Sequence, residues 1–229
     1  MEAIITPTDA SRRDRVDMAT QGASHGLRIV DAVLLSTRCA ICDRLGEVVC
    51  GRCGTDLPAA PALATPLHVD SCQALMAYDD VTRILLTRLK NRHRRDVVAW
   101  LANRLGELEA PTGSVVTWAP TSVPRRRRRG FDQGELLARA VARRWGVPFR
   151  DLLRRAAGPA QSGRSARERR AHPGFTARCV SPHCIVLVDD VATTGATLTA
   201  AARALRSVGA AEVHGLVVAR AARPGSAAA

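Results

Sequence analysis

Residues 185–198 read IVLVDDVATTGATL, and few folds accommodate such a stretch. Ile185, Val186, Leu187 and Val188 form an apolar run suited to a strand buried on both faces, as in a parallel sheet. Asp189 and Asp190 follow, at the expected end of that strand. Val191 and Ala192 lead into a hydroxyl-rich turn, Thr193, Thr194, Gly195, Ala196 and Thr197, and a helix is expected over about 198–208. Free N–H groups at a helix start attract a phosphate. Gly195 lets backbone approach the anion closely, and threonine hydroxyls add donors. Ionised carboxylates only accept hydrogen bonds, which suits the hydroxyls of a ribose. A buried strand with an acidic turn and a threonine cap would explain one Asp and one Thr. It leaves the second acid and the TTG turn unexplained, at the carboxyl end of a strand where open α/β sheets bind ligands.

The rest of the chain supplies a setting for that unit. Strands are expected at 71–78, 114–119 and 212–218. A helical region is expected at 81–108, interrupted at 90–96, and a further helix at 134–145. Strands alternating with helices predict a mostly parallel α/β sheet flanked by helices. Residues 1–26 lack periodicity and are expected to be a disordered tail. The segment 27–57 combines a short helix, at about 25–35, with a cysteine module, 58–70 is an Ala/Pro-rich linker, 71–220 the main domain and 221–229 a tail. No apolar stretch reaches membrane-spanning length, and the start lacks the plan of a signal peptide. A cytoplasmic protein without membrane insertion is expected.

Cys39-x-x-Cys42 and Cys50-x-x-Cys53 are two knuckles seven residues apart. Two such pairs complete a tetrahedral four-thiolate site, and structural zinc is the expected ion; an iron–sulfur cluster is the minor alternative. A module this small needs metal to fold. Cys72, Cys179 and Cys184 read as small buried residues, and His214, like the other histidines, falls in no recognisable constellation.

The net charge of +13 implies polyanionic partners, pyrophosphate or nucleic acid. Lys90 is the only lysine, and arginine supplies the rest of the basic charge. Arginine suits bidentate phosphate recognition. Aromatic content of 3% argues against a stacking platform for single strands. Arg125–Arg129 places five cations in a row, read either as a solvated loop or as a flap lending one or two arginines to a phosphate, Arg129 foremost because it joins the compact group RGFDQ. Lys90 reads as a phosphate contact or a helix surface charge.

The double CxxC, AYDDVTRILLTRLKNR, RRGFDQGELLARAVA, the stretch from Gln161 through Arg170 to Phe175, and VDDVATTGATL occur in one order. Together they resemble the ComF family, phosphoribosyltransferase-like proteins linked to competence and DNA uptake. The resemblance implies a type I phosphoribosyltransferase-like fold with a zinc-ribbon-like module. It also implies binding of 5-phosphoribosyl-1-pyrophosphate (PRPP) or another phosphosugar, with magnesium. Asp189 and Asp190 would hold the ribose hydroxyls, residues 193–197 the 5′-phosphate, and Ala119, Pro120 and Thr121 the pyrophosphate, with Arg129 and Lys90 as cations. Asp189, Asp190 and Arg129 would then be the catalytic candidates. The implied roles are phosphoribosyl transfer in nucleotide salvage or DNA uptake, or non-catalytic binding of single-stranded DNA among competence and DNA-processing proteins. The family's usual RGFNQ is RGFDQ here: Asp132 replaces an amide donor with an acid.

Overall fold

The computed structural model describes residues 37–62, 64–90, 94–156, 174–178 and 184–221. The expected N-terminal tail, the short helix at 25–35, the stretch from Gln161 to Arg170, Cys179 and residues 222–229 lie outside these.

Four parallel strands form the main sheet: β1 (Ser71–Ala77), β2 (Val115–Trp118), β5 (Cys184–Ala192) and β6 (Glu212–Arg220), in the order β1-β6-β5-β2. A separate antiparallel pair, β3 (Leu153–Arg155) and β4 (Phe175–Ala177), was not expected from the sequence. Strands of three residues carry too little periodicity to read. Helix α1 (Gly51–Thr55) lies in the cysteine module. Helices α2 (Asp80–Leu89) and α3 (Arg95–Leu105) lie between β1 and β2. Helices α4 (Val123–Arg129) and α5 (Gln133–Trp145) follow β2, and α6 (Ala196–Arg206) joins β5 to β6.

Strand β5 is the axis of the fold. Ile185, Leu187 and Val188 are fully buried and Val186 is 2% exposed, because the sheet is covered on both sides. Burying four such side chains contributes about 6–12 kcal/mol before chain entropy opposes it. Side chains alternate along a strand, so Val186 and Val188 join the core shared with α2, α3 and α5. Ile185 and Leu187 join the core under α6. In α5, Leu137, Ala138, Val141 and Ala142 form the buried helical stripe. In α6 the stripe is Leu198, Ala201, Ala202 and Leu205.

Two expectations are corrected here. The acids do not lie beyond the strand: β5 continues through Asp189 and Asp190 to Ala192, since β6 keeps pairing with it as far as Arg220. Alternation breaks there, since Val188 and Val191 pack in the same core while Ala192 packs in the other, and the two carboxylates lie close enough to interact directly. The arginine run is not a loop. Arg125–Arg129 sit on α4, which Pro124 starts and Gly130 closes at φ +76°, donating its N–H to the Arg126 carbonyl at 2.7 Å.

The cysteine module packs on the main domain. Cys39, Ala40, Val49 and Cys53 are buried in the core shared with α2 and α3, and Arg94 Nη2 donates to the Arg38 carbonyl at 2.8 Å. The Ala/Pro-rich segment that follows is docked as well. The Pro58 carbonyl accepts from the Ala77 N–H at 3.0 Å, and the Ala64 carbonyl accepts from the Arg220 guanidinium.

Asp132, read as a departure from the family pattern, has a structural task. It is the N-cap of α5, its Oδ1 accepting from the Gly134 N–H at 3.0 Å. Its Oδ2 accepts from the Thr121 N–H at 2.8 Å and from Trp118 Nε1 at 3.3 Å. An asparagine could cap the helix, but its amide nitrogen could not accept the other two donors. Replacing Asp132 with Ala is expected to cost about 2–4 kcal/mol in urea unfolding, from the lost cap and the stranded donors. Asp132→Asn should cost less. Equal midpoints for wild type and Asp132→Ala would refute this anchoring role.

Candidate functional site

The carboxyl ends of β2 and β5 bring the candidate residues together. Asp190 lies on the α2 face of β5, where Lys90, the C-cap of α2, places Nζ 3.4 Å from its Oδ2. The lone lysine therefore faces the site. Asp189 sits beside Asp190, and the two side chains interact directly. Each carboxylate also accepts the next residue's N–H: Asp190 N donates to Asp189 Oδ1 and Val191 N to Asp190 Oδ1, both at 2.8 Å. These local bonds hold the acids as an adjacent pair at the end of the strand.

Burial, followed by the charges of Asp190 and Asp132, holds the Asp189 carboxyl well above the usual carboxylate range. Burial likewise raises Asp132, against its hydrogen bonds. Three acids thus crowd where the sheet ends, and arginines lie among them. Burial pulls Arg129 below its usual value while Asp190 and Asp132 favour its charged form. It is half-buried, whereas Arg125, Arg126, Arg127 and Arg128 are exposed. Arg126 pairs with Glu135 at 3.6 Å.

Arg155, at the end of β3, is a site residue that sequence reading missed. Its Nη1 donates to the Pro120 carbonyl at 3.2 Å, and its guanidinium lies over the Phe175 ring, 5.2 Å from the centroid. Burial and Arg125 lower its pKa, and Asp189 and Asp132 favour its charged form. A short strand 30 residues upstream gave no signal for it. Only the β3–β4 pairing brings it beside β2 and β5.

The turn after β5 is partly open to solvent, although the Ala196 N–H already donates to Thr194 Oγ1 at 3.3 Å. Thr193 and Thr194 are exposed, and Gly195, Ala196 and Thr197 are half-buried. Gly195 is the N-cap of α6 at φ +74°, and a side chain there would meet Pro66 at 3.0 Å. The docked Ala/Pro-rich segment therefore rests against this turn. Residues 119–121 are placed beside the acids, yet they offer no unpaired amide. The Ala119 N–H bonds the Val188 carbonyl at 3.0 Å, Pro120 has none, and the Thr121 N–H is taken by Asp132. In this corner the donor is the Arg155 guanidinium rather than the loop backbone. Gln133, next to Asp132, is buried, and its Oε1 has no partner among the described residues.

In the N-terminal module, Cys39, Cys42, Cys50 and Cys53 bring their sulfurs within 4.8 Å of one another. None is in a disulfide. The N–H groups of Ile41 and Cys50 donate to Cys39 Sγ at 3.5 and 3.4 Å. Burial opposes ionisation of Cys39, but backbone donors outweigh it and bring the thiol to about 6. Burial and the neighbouring sulfurs push Cys53 to about 12. A sulfur cage of this size, with amides already aimed at a sulfur, could hold one tetrahedral metal ion.

Residues 132–227 match the phosphoribosyl transferase domain. The chain is 30% identical over 200 residues to the DNA utilization protein YhgH of Escherichia coli O157:H7, covering 77% of this chain and 87% of that protein. Among solved structures it is similar to glutamine PRPP amidotransferase from B. subtilis, at 23% identity and a TM-score of 0.37, over 58% of this chain and 26% of that one. It is also similar to orotate phosphoribosyltransferase from Aeropyrum pernix, at 23% identity and a TM-score of 0.34, over 62% and 66% of the two chains. The chain thus spans about a quarter of the amidotransferase's length. Among the described residues, no helix is long and apolar enough to cross a membrane. With its parallel, helix-flanked sheet, its phosphoribosyl transferase domain match and its four-cysteine module, the chain belongs to the ComF family of phosphoribosyltransferase-like proteins.

Proposed function

We propose that the carboxyl end of β5 binds PRPP and that the protein is a phosphoribosyl-transferring or phosphoribosyl-binding factor. The observation that carries this reading is the meeting of two adjacent acids, a turn with exposed threonines at a helix start, and Lys90, Arg129 and Arg155 around one strand end. Asp189 and Asp190 are assigned to the ribose hydroxyls, and residues 193–197 to the 5′-phosphate. The cations are assigned to the pyrophosphate, with Arg155 in the place that the amides of 119–121 do not fill. Magnesium is a hard ion that takes carboxylate and phosphate oxygens, and would neutralise leaving-group charge beside Asp189 and Asp190. As pyrophosphate departs from the anomeric carbon with the C–O electron pair, positive charge develops on the ribose, the acids hold the sugar, the arginines offset the leaving group, and an acceptor nucleophile bonds to that carbon in its place. The four cysteines are assigned to structural zinc.

A second reading draws on the exposed arginines of α4 and on the name of the E. coli relative, a DNA utilization protein. Exposed guanidinium groups spread around a short helix suit a nucleic-acid backbone, with PRPP then acting as an effector. Single-stranded DNA binding through it would weaken steeply as salt rises. Pyrophosphate release from PRPP across a panel of bases would instead favour turnover, and a flat salt dependence of DNA binding would remove this second reading.

Asp190→Asn and Arg155→Gln are each expected to weaken binding of magnesium–PRPP roughly ten- to hundredfold by calorimetry, about 1.4–2.8 kcal/mol. Unchanged affinity in both would overturn the site. Asp189→Asn should separate function from stability. A carboxyl whose folded pKa is raised destabilises the fold as pH climbs past the unfolded value, about 3.9, and does so fully above the folded one. The amide should therefore raise Tm by a few degrees at neutral pH, with no gain below about pH 4, while PRPP binding falls. Cys50→Ser should lower bound zinc by one equivalent per chain and destabilise the N-terminal module. An undiminished zinc content would refute the assignment.

A further inference from the structure

At the opposite end of the sheet, about 20 Å along β5 from Asp190, three metal-binding side chains of different kinds meet. Cys184 opens β5 and Glu212 opens β6, and the strand register pairs these two residues directly. His214 lies two residues further along β6, on the same face. One ligand atom from each lies within 4.8 Å of the other two. His214 Nε2 and Glu212 Oε2 are 3.3 Å apart. Tetrahedral zinc with its usual bond lengths sets its ligand atoms about 3.2–3.6 Å apart, so modest contraction closes this triangle around an ion.

The imidazole is oriented for such a role. Ser71 pairs with His214 across β1 and β6, and its Oγ lies 2.9 Å from Nδ1. With the ring proton on Nδ1 and Ser71 accepting it, the Nε2 lone pair points toward Glu212. A metal-binding histidine is commonly fixed in this way by a partner on its other nitrogen. The surroundings favour a cation even though the chain carries a net charge of +13. Asp70 adds negative potential nearby, its own carboxylate already engaged by Arg206 and the Val213 N–H. Cys184 is buried, His214 is one-fifth exposed and Glu212 is open to solvent, so an ion has a way in. A cavity of about 20 Å³ beside His214, lined also by Ser71 and Glu109, has room for one water.

We propose that Cys184, Glu212 and His214 form a second metal site for a borderline-soft divalent cation such as zinc or cobalt. Ser71 is its positioning residue, and the fourth coordination place is left to water. The mixed sulfur, nitrogen and oxygen donors select against magnesium and calcium, which prefer all-oxygen shells. Three protein ligands with one open place distinguish it from the closed four-cysteine cage. The site is independent of PRPP binding.

Cobalt(II) titration of the full chain, with its four-cysteine module zinc-loaded, tests this. Wild type should take up one further equivalent and develop a thiolate-to-cobalt charge-transfer band. Cys184→Ser should abolish that band, whereas cobalt exchanging into the four-cysteine cage would leave it intact. Glu212→Gln changes an exposed side chain and should weaken the uptake at least about tenfold, and Ser71→Ala roughly 10–100-fold with the band retained. The proposal is overturned if wild type takes up no further equivalent, if the band survives in Cys184→Ser, or if Glu212→Gln and Ser71→Ala both bind as wild type does. Should Cys184→Ser fail to fold, the Glu212→Gln titration decides alone.

Discussion

Charge at the end of a fully buried strand governs this structure. Strand β5 is apolar on both faces as far as Val188 and then carries two half-buried carboxylates. Acids in that position are costly unless cations or solvent answer them. Much of the surrounding architecture supplies the answer. Helix α2 ends at Lys90, α4 delivers Arg129, and the β3–β4 pair presents Arg155. Three elements distant in sequence converge because one strand end attracts their charge.

Asp132 carries a related tension. It is buried, and its carboxyl is pushed up by that burial, yet both of its oxygens are engaged. One oxygen starts α5 and the other fixes the turn after β2. The acid therefore ties the arginine-bearing helix pair to the sheet edge beside the site, and it adds to the negative field felt by Asp189. Stability and electrostatic preparation of the site share one side chain here.

The main strands and the helices other than α1 and α4 were legible because their apolar periodicity is strong. The 185–188 run and the stripes of α5 and α6 are examples. The acids and the threonine–glycine turn were legible because local order places them together. Features made by long-range register were not. Arg155 belongs to a three-residue strand, and nothing local marks it. Cys184 and His214 lie 30 residues apart, and only parallel pairing of β5 with β6 sets them side by side. The arginine run misled because charge density suggested a loop, whereas Pro124 and Gly130 supply a helix start and stop. The Ala/Pro-rich segment looked like a tether by composition, and its contacts are backbone hydrogen bonds and a proline against Gly195, which composition does not encode.

Lys90 has one more consequence. The chain carries a single side-chain amine, and it stands against Asp190. Reagents that acylate amines therefore have one internal target, located beside Asp190. A fluorophore or mass tag placed there senses occupancy of that strand end without engineering, and a ligand that buries the amine shields it from labelling.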